Sequence, residues 1–295
     1  MYELDKYTVS LLHFDDEIKD ETGKVWTAKN SAAVSTAESK FGKSSLYLNS
    51  TQYLSSPNNG DFSFNSGDFT VECWVKRNDY SNINQALFEV VSDNGNAGNP
   101  VGYGAYLTLG ASLNGVFGFY NNNSTSGAAV VGTTVIPVGE WTHIAGVRHN
   151  NTLYLFKNGV LENTADCTGC SVNPNSATLA NIGSYANNAW GNAYSGYIDE
   201  FRISNIARWT ENFDPNDPSS PQTDDGKYLL TITLAEEVER EYPVTKDELE
   251  AFIKWYDSSA NGTGSAYYTF DKFLNRKDYI VFDKILTFEV TDFSK

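Results

Sequence analysis

At 295 residues the chain is long enough for one large β domain with an appendage, or for two ordinary domains. Its 14% aromatic and 20% charged residues exclude a disordered composition and supply material for a core. A net charge of −16 disfavours nucleic acid as a partner, and no apolar run of about 18 residues exists to insert in a membrane.

The opening stretch, MYELDKYTVSLLHF, lacks the basic start, apolar core and small-residue cleavage site of a secretory leader. From residue 8 to 212 the pattern is short alternating segments separated by turn clusters. Period-two alternation predicts strands at 8–14, 44–48, 69–76, 85–91, 102–109, 115–120, 129–135, 141–148, 152–157, 178–183 and 196–204. The connections NSGD (65–68), SDNGNAGNP (92–100) and YNNNSTSG (120–127) are rich in Asn and Gly, which tolerate left-handed backbone. LYLFKNGVLE is the clearest hairpin, with Asn158-Gly159 placed for a type I′ turn. Many short strands without helices imply a sandwich or jelly roll.

In VECWV, Cys73 shares a face with Val71 and Val75 and reads as a core thiol. Cys167 and Cys170 form CTGC after the hairpin; one pair cannot fill a tetrahedral zinc site, and a local disulfide and two free thiols both stay open. In Tyr194–Trp209, alternation sets Tyr197, Asp199, Phe201 and Ile203 against Ile198, Glu200, Arg202 and Ser204. Trp74 and Trp141 lie in alternating strands and read as core, and His143 as a packed strand residue.

Residues 213–226, FDPNDPSSPQTDDG, carry three prolines and predict an extended spacer. A small α+β unit at 227–295 follows. KYLLTITLA reads as a strand, and Thr245 with Glu248 forms a capping box. Leu249, Phe252, Ile253 and Tyr256 make one apolar helix face, on the helix that also carries Trp255, and YYTFDKF and DYIVFDKILTFEV read as two strands. A unit this small has a marginal core, so its apolar residues, Phe252, Trp255, Tyr267 and Phe282 among them, predict docking against the jelly roll, another copy or a larger assembly.

Four segments carry a family resemblance: LLHFDDEIKD at 11–20, FGKSSLYLNSTQYLSSP with GDFTVECWVKR at 41–77, GEWTHIAGVRHNNTLYLFKNGVLE at 139–162, and GYIDEFRI at 196–203. Their order and spacing resemble the laminin G-like, concanavalin A-like lectin and glucanase jelly rolls over residues 8–212. The expected fold is therefore a mainly β, antiparallel β-sandwich jelly roll at 1–212 with a small C-terminal α+β attachment domain.

The resemblance implies three chemistries. Glucanases of this class place two glutamates around an aspartate on one strand; Glu-x-Asp-x-(x)-Glu occurs nowhere here, so no catalytic residues are expected. A structural calcium would draw on Asp199, on Asp15 or Asp16, and on carbonyls near Gly42; the alternative is that Asp199 caps backbone amides of the opening loop and, with or without metal, ties the start of the chain to the closing strand. Glycan or protein binding would use rim loops in which aromatic faces sit beside amides. SYANNAWGNAYSG (184–196) offers Tyr185, Asn187, Asn188, Trp190, Asn192 and Tyr194, though Trp190 could equally fold back as a plug. SDNGNAGNPVGYGAY (92–106) offers Asp93, Asn94, Asn96, Tyr103 and Tyr106.

These features together point to a non-enzymatic, homo-oligomeric binding or assembly protein. Its expected place is a bacteriophage virion surface, as head decoration or tail adhesin, with the C-terminal domain contacting other virion proteins. The alternative is a carbohydrate-binding module of a bacterial cell-surface protein; a glycoside hydrolase stands behind both.

Overall fold

The computed structural model describes residues 1–78, 85–91, 102–110, 112–120, 126–170, 179–184, 193–216, 228–235, 238–244, 246–272 and 276–292. The chain divides into two compact units, Met1–Pro221 and Gln222–Lys295.

The first unit opens with β1 (Thr8–Leu12), β2 (Thr27–Lys29), β3 (Ala33–Ser35), β4 (Ser45–Asn49) and β5 (Tyr53–Pro57). Longer strands follow: β6 (Phe69–Arg77), β7 (Ala86–Val91), β8 (Gly102–Thr108), β9 (Val116–Tyr120) and β10 (Ser126–Val131). It closes with β11 (Trp141–His149), β12 (Thr152–Lys157), β13 (Val160–Asp166), β14 (Leu179–Ile182) and β15 (Ser195–Ser204). Two antiparallel sheets result. One runs β13-β12-β11-β6-β15-β4-β3, with β1 also on β15; the other runs β10-β9-β8-β7-β14-β5-β2. The main core lies between them: Val71, Cys73, Val75, Ile144, Leu153 and Leu155 pack against Phe88, Val90, Leu107, Phe117 and Ile182. Three-residue strands such as β2 and β3 are too short for alternation to reveal.

The Asn158-Gly159 turn has φ of 48° and 75°, the left-handed pair that a type I′ hairpin needs. Gly159 does a second job. A Cβ there would lie 1.9 Å from the Phe213 carbonyl oxygen, and the Phe213 N–H donates to the Gly159 carbonyl at 2.9 Å. Phe213 in turn stacks on Trp209 at 3.8 Å. The segment from Phe213 to Asn216, expected in the spacer, therefore belongs to the sandwich.

The outer face of the β6 sheet is also covered. Ala145, Val147 and Phe156 lie under Ala207, Trp209 and Phe213, while Leu11 and Trp74 lie under Tyr2. Trp74 is buried on this outer face rather than in the intersheet core, and Trp141 is only half-buried.

In the second unit β16 (Tyr228–Leu234) is flanked by β17 (Val238–Val244) and β20 (Ile285–Asp292). Helix α1 (Lys246–Ala260) and the hairpin of β18 (Tyr267–Lys272) and β19 (Arg276–Val281) complete it. Leu249, Phe252 and Tyr256 turn inward with Trp255, whose indole donates to the Ser265 carbonyl at 3.0 Å, whereas Ile253 is exposed. The run 278–290, expected as one strand, is broken by a 3-10 turn at Phe282–Lys284. Thr245, the expected cap, lies outside the described residues.

Candidate functional site

The closing strand departs from strict alternation. Asp199 pairs with Trp74 and Arg202 with Glu72, so Glu200 and Phe201 together face one residue of β6. Glu200 takes φ 48° to make this bulge. Ile198, Phe201 and Ile203 consequently face the intersheet core. Asp199, Glu200 and Arg202 all serve contacts away from it, which corrects the simple two-face reading.

Asp199 Oδ2 accepts the Lys40 and Phe41 N–H groups at 2.7 and 3.1 Å, and Oδ1 accepts the Glu200 N–H at 2.9 Å. Burial raises its carboxyl to about 7 despite these bonds. Glu200, not Asp199, ties down the start of the chain: it accepts the Tyr2 N–H at 2.6 Å and bonds His13 Nδ1 at 2.8 Å. Asp199 instead holds the β3–β4 loop. Asp15 Oδ1 accepts the Lys43 N–H at 2.7 Å from beside Gly42, whose missing Cβ would lie 2.0 Å from that oxygen. The Lys43 ammonium reaches Asp16 at 3.4 Å. Asp199, Asp15, Asp16 and Gly42 do meet on one loop. What faces the carboxylates is amide hydrogen and an ammonium, however, and this donor set does not fit a calcium ion. Among the described residues no three His, Cys, Asp or Glu side chains converge as metal ligands.

Beneath Tyr2 the sheet carries a buried ionic network. Glu72 Oε1 accepts Arg202 Nε and Nη2 at 2.7 Å each, and Oε2 contacts His143 Nε2 at 3.1 Å. Burial alone would raise the Glu72 carboxyl, but Arg202, His143 and Arg208 hold it at about 2. Burial lowers His143, and an ionised Glu72 can only accept, so the neutral ring carries its hydrogen on Nε2. Arg208 Nη2 reaches both Asp5 oxygens at 3.0 Å, and Arg202 sits 4.1 Å under the Tyr2 ring. His143 is thus a packed strand residue, as expected, with a hydrogen bond to Glu72 that no sequence motif announced.

The described residues of the sandwich frame an open cleft of about 400 Å³ lined by Lys40, Trp74, Trp141, Asn158, Phe213, Asp214, Pro215 and Asn216. Each wall is held for an identifiable reason. Asp199 fixes the Lys40 backbone, and the Lys40 ammonium lies 3.9 Å over the Trp74 ring. Asn158 Oδ1 accepts the His143 N–H at 2.8 Å, which sets the hairpin tip. Asp214 Oδ1 caps its own turn, accepting Asn216 N–H at 2.9 Å and Nδ2 at 3.0 Å, and these bonds lower its carboxyl. An indole, amides, a carboxylate and an ammonium around one cleft form the donor and acceptor set that recognises sugar hydroxyls beside an apolar ring face.

Only part of the expected binding surface is described. Tyr185, Asn187, Asn188, Trp190, Asn192, Asp93, Asn94 and Asn96 lie outside the described residues, and Tyr103 sits in β8 with its side chain undescribed. Tyr106, half-buried, is on the same strand. Tyr194 is fully buried in the main core, its hydroxyl 3.3 Å from the Tyr197 carbonyl oxygen, so it is no rim residue. The cleft was missed because Asp214-Pro-Asn216 reads as spacer and Trp141 as core. The one legible signal was the Asn158-Gly159 turn beside them.

A family model described as the concanavalin A-like lectin/glucanases superfamily matches residues 48–212. A comparison with curated proteins gives no match. Among solved structures, the binding domain of Paraclostridial Mosquitocidal Protein 1 is similar at a TM-score of 0.53 and 17% identity, over 68% of this chain and 49% of that one. Domain 4 of AbnA, an extracellular arabinanase from Geobacillus stearothermophilus solved with arabinotriose, gives 0.51 and 20%, over 68% and 93%. The botulinum neurotoxin serotype G binding domain gives 0.52 and 10%, over 93% and 65%. This chain spans only 49% of the first of these structures, and at such identities the likeness is one of fold. With the family match covering more than half of its length, the chain belongs to the concanavalin A-like lectin/glucanases superfamily.

Proposed function

We propose that the protein is a non-enzymatic binding and assembly component whose jelly roll takes a glycan at the Trp141 cleft. The observation that carries this reading is the cleft itself, where Trp141 of β11 and Asn158 at the hairpin tip stand beside Asp214 and Lys40. The carboxylates in and behind it support the non-enzymatic part: Asp214 caps its own turn, and Asp199 and Glu200 are engaged by backbone N–H groups and a histidine. The second unit exposes Tyr267, Tyr279 and Val281 on one hairpin, which suits attachment to a larger particle. We place that particle on a bacteriophage surface, as head decoration or tail adhesin, with the chain present in several copies. A carbohydrate-binding module of a bacterial cell-surface protein is the second reading. It is favoured by the fold shared with a domain solved in complex with arabinotriose.

The test is titration of the full chain with a panel of neutral and acidic oligosaccharides, followed by calorimetry. At least one should bind, and Trp141→Ala should weaken it about tenfold or more with melting little changed. The same panel should release no reducing sugar. Absence of any saccharide binding, or binding indifferent to Trp141→Ala, would sink the cleft as the site.

A further inference from the structure

Among the described residues that line the cleft, the one cation is Lys40, and its ammonium touches only ring faces. Lys40 Nζ lies over the faces of Trp74 and Phe41, at 3.9 and 5.4 Å from the ring centres. Among the described residues it makes no hydrogen bond or ion pair of its own. The fixed charges around it are spoken for: Asp199 accepts three backbone N–H groups, and Asp214, which is exposed, caps Asn216. Partial burial disfavours the charged form of Lys40 more than Asp199 and Asp214 restore it. An ammonium with three donors, part-desolvated and without an acceptor, gains most from an anion entering the cleft. The net charge of −16 works against a polyanion, so the anion is best carried singly.

We infer, resting on the glycan reading above, that the cleft selects a saccharide bearing an isolated uronate: its carboxylate meets Lys40 Nζ, and the adjoining neutral ring lies on Trp141. Lys40 is then the specificity-determining residue, and the rest of the cleft supplies affinity common to acidic and neutral sugars.

The probe is an oligosaccharide with one glucuronate among neutral residues, compared with its carboxyl-reduced form. The full chain should bind the acid about tenfold more tightly, as one charge-assisted bond in a partly dried site allows. Lys40→Met should abolish that preference, so that acid and reduced sugar bind alike, and Lys40→Arg should retain it. Melting curves of both variants check that the β3–β4 loop stays in place. Equal binding of acid and reduced form by the wild type overturns this inference and leaves the glycan reading intact. A preference that survives Lys40→Met overturns it equally. If neither sugar binds, nor any of the wider panel, the glycan reading fails first and the inference with it.

Discussion

Asp199 and Glu200 are neighbours in sequence, yet each fastens a different distant segment to the same strand. Asp199 holds the backbone of Lys40 and Phe41, 159 and 158 residues away, and Glu200 holds Tyr2, 198 residues away. The bulge between them makes this possible, because ordinary pleating would send one of the two side chains into the core. Asp199→Ala and Glu200→Ala should each cost about 1–3 kcal/mol through orphaned buried donors. Hydrogen exchange should separate them, with protection lost at Lys40 and Phe41 in the first variant and at Tyr2 in the second. If both variants open the same segment, the two latches are one.

The Asp199 carboxyl sits at about 7 in the fold against an ordinary 3.8. A raised acid favours the folded state when protonated. Its contribution is therefore present below about pH 4 and is lost as pH rises towards 7, by on the order of 4 kcal/mol at most. His13, raised by Glu200, also loses stability with rising pH, whereas buried His143, lowered, works the other way. Asp199→Asn isolates the first effect. The difference in melting temperature between variant and wild type should shift in the variant's favour from pH 4 to pH 7. A difference flat in pH would refute it.

Removing one partner of the Glu72–Arg202 pair strands a buried charge. Arg202→Met or Glu72→Ala is expected to cost about 3–5 kcal/mol, whereas the matched double replacement should recover a good part of that loss. Denaturant midpoints of the three variants decide the point.

Gly159→Ala combines a left-handed φ of 75° with a Cβ driven into the Phe213 carbonyl. It should lower stability by about 1–3 kcal/mol and loosen the Phe213–Asn216 wall, so saccharide affinity falls even below the melting temperature. Unchanged affinity would show that this wall takes no part in binding.

Cys167 and Cys170 are free thiols that close a turn, with Cys170 N–H on the Cys167 carbonyl at 3.0 Å and Gly169 at φ 74°. Such a turn brings the two Cα atoms within about 7 Å. Oxidised glutathione should therefore take up both thiol hydrogens and leave an intramolecular disulfide, a mass loss of about 2 Da per chain. Cys73, whose thiol is pushed well above the ordinary thiol range by burial, should stay reduced. Only intermolecular adducts would count against the turn.

Much of the jelly roll was legible because its long strands obey the rule of two: β6 and β11 place Val71, Cys73, Val75 and Ile144 inside as their alternation requires. Legibility failed where a second layer intervened. Trp74 and His143 alternate correctly, but nothing local reveals that Tyr2 and residues 207–213 cover their face and make it a second interior. Glu200 hides a bulge, since a glutamate is an unusual residue for φ 48°. The cleft escaped notice because it is assembled from a loop, two strands, a hairpin tip and a proline-rich segment whose meeting is a property of the fold alone. In the second unit Pro243 masked an edge strand, β17, where a proline is tolerated.

The stacking of Phe213 on Trp209 also decides where this protein can be cut. The family match stops at residue 212, and a fragment ended there would strip one face of Trp209, free the Gly159 carbonyl from the Phe213 N–H, and leave a greasy slot on the sheet. Recombinant pieces, fusions and transplanted modules should carry the chain through at least Asn216. The structural edge of the jelly roll lies past the point where the family match ends.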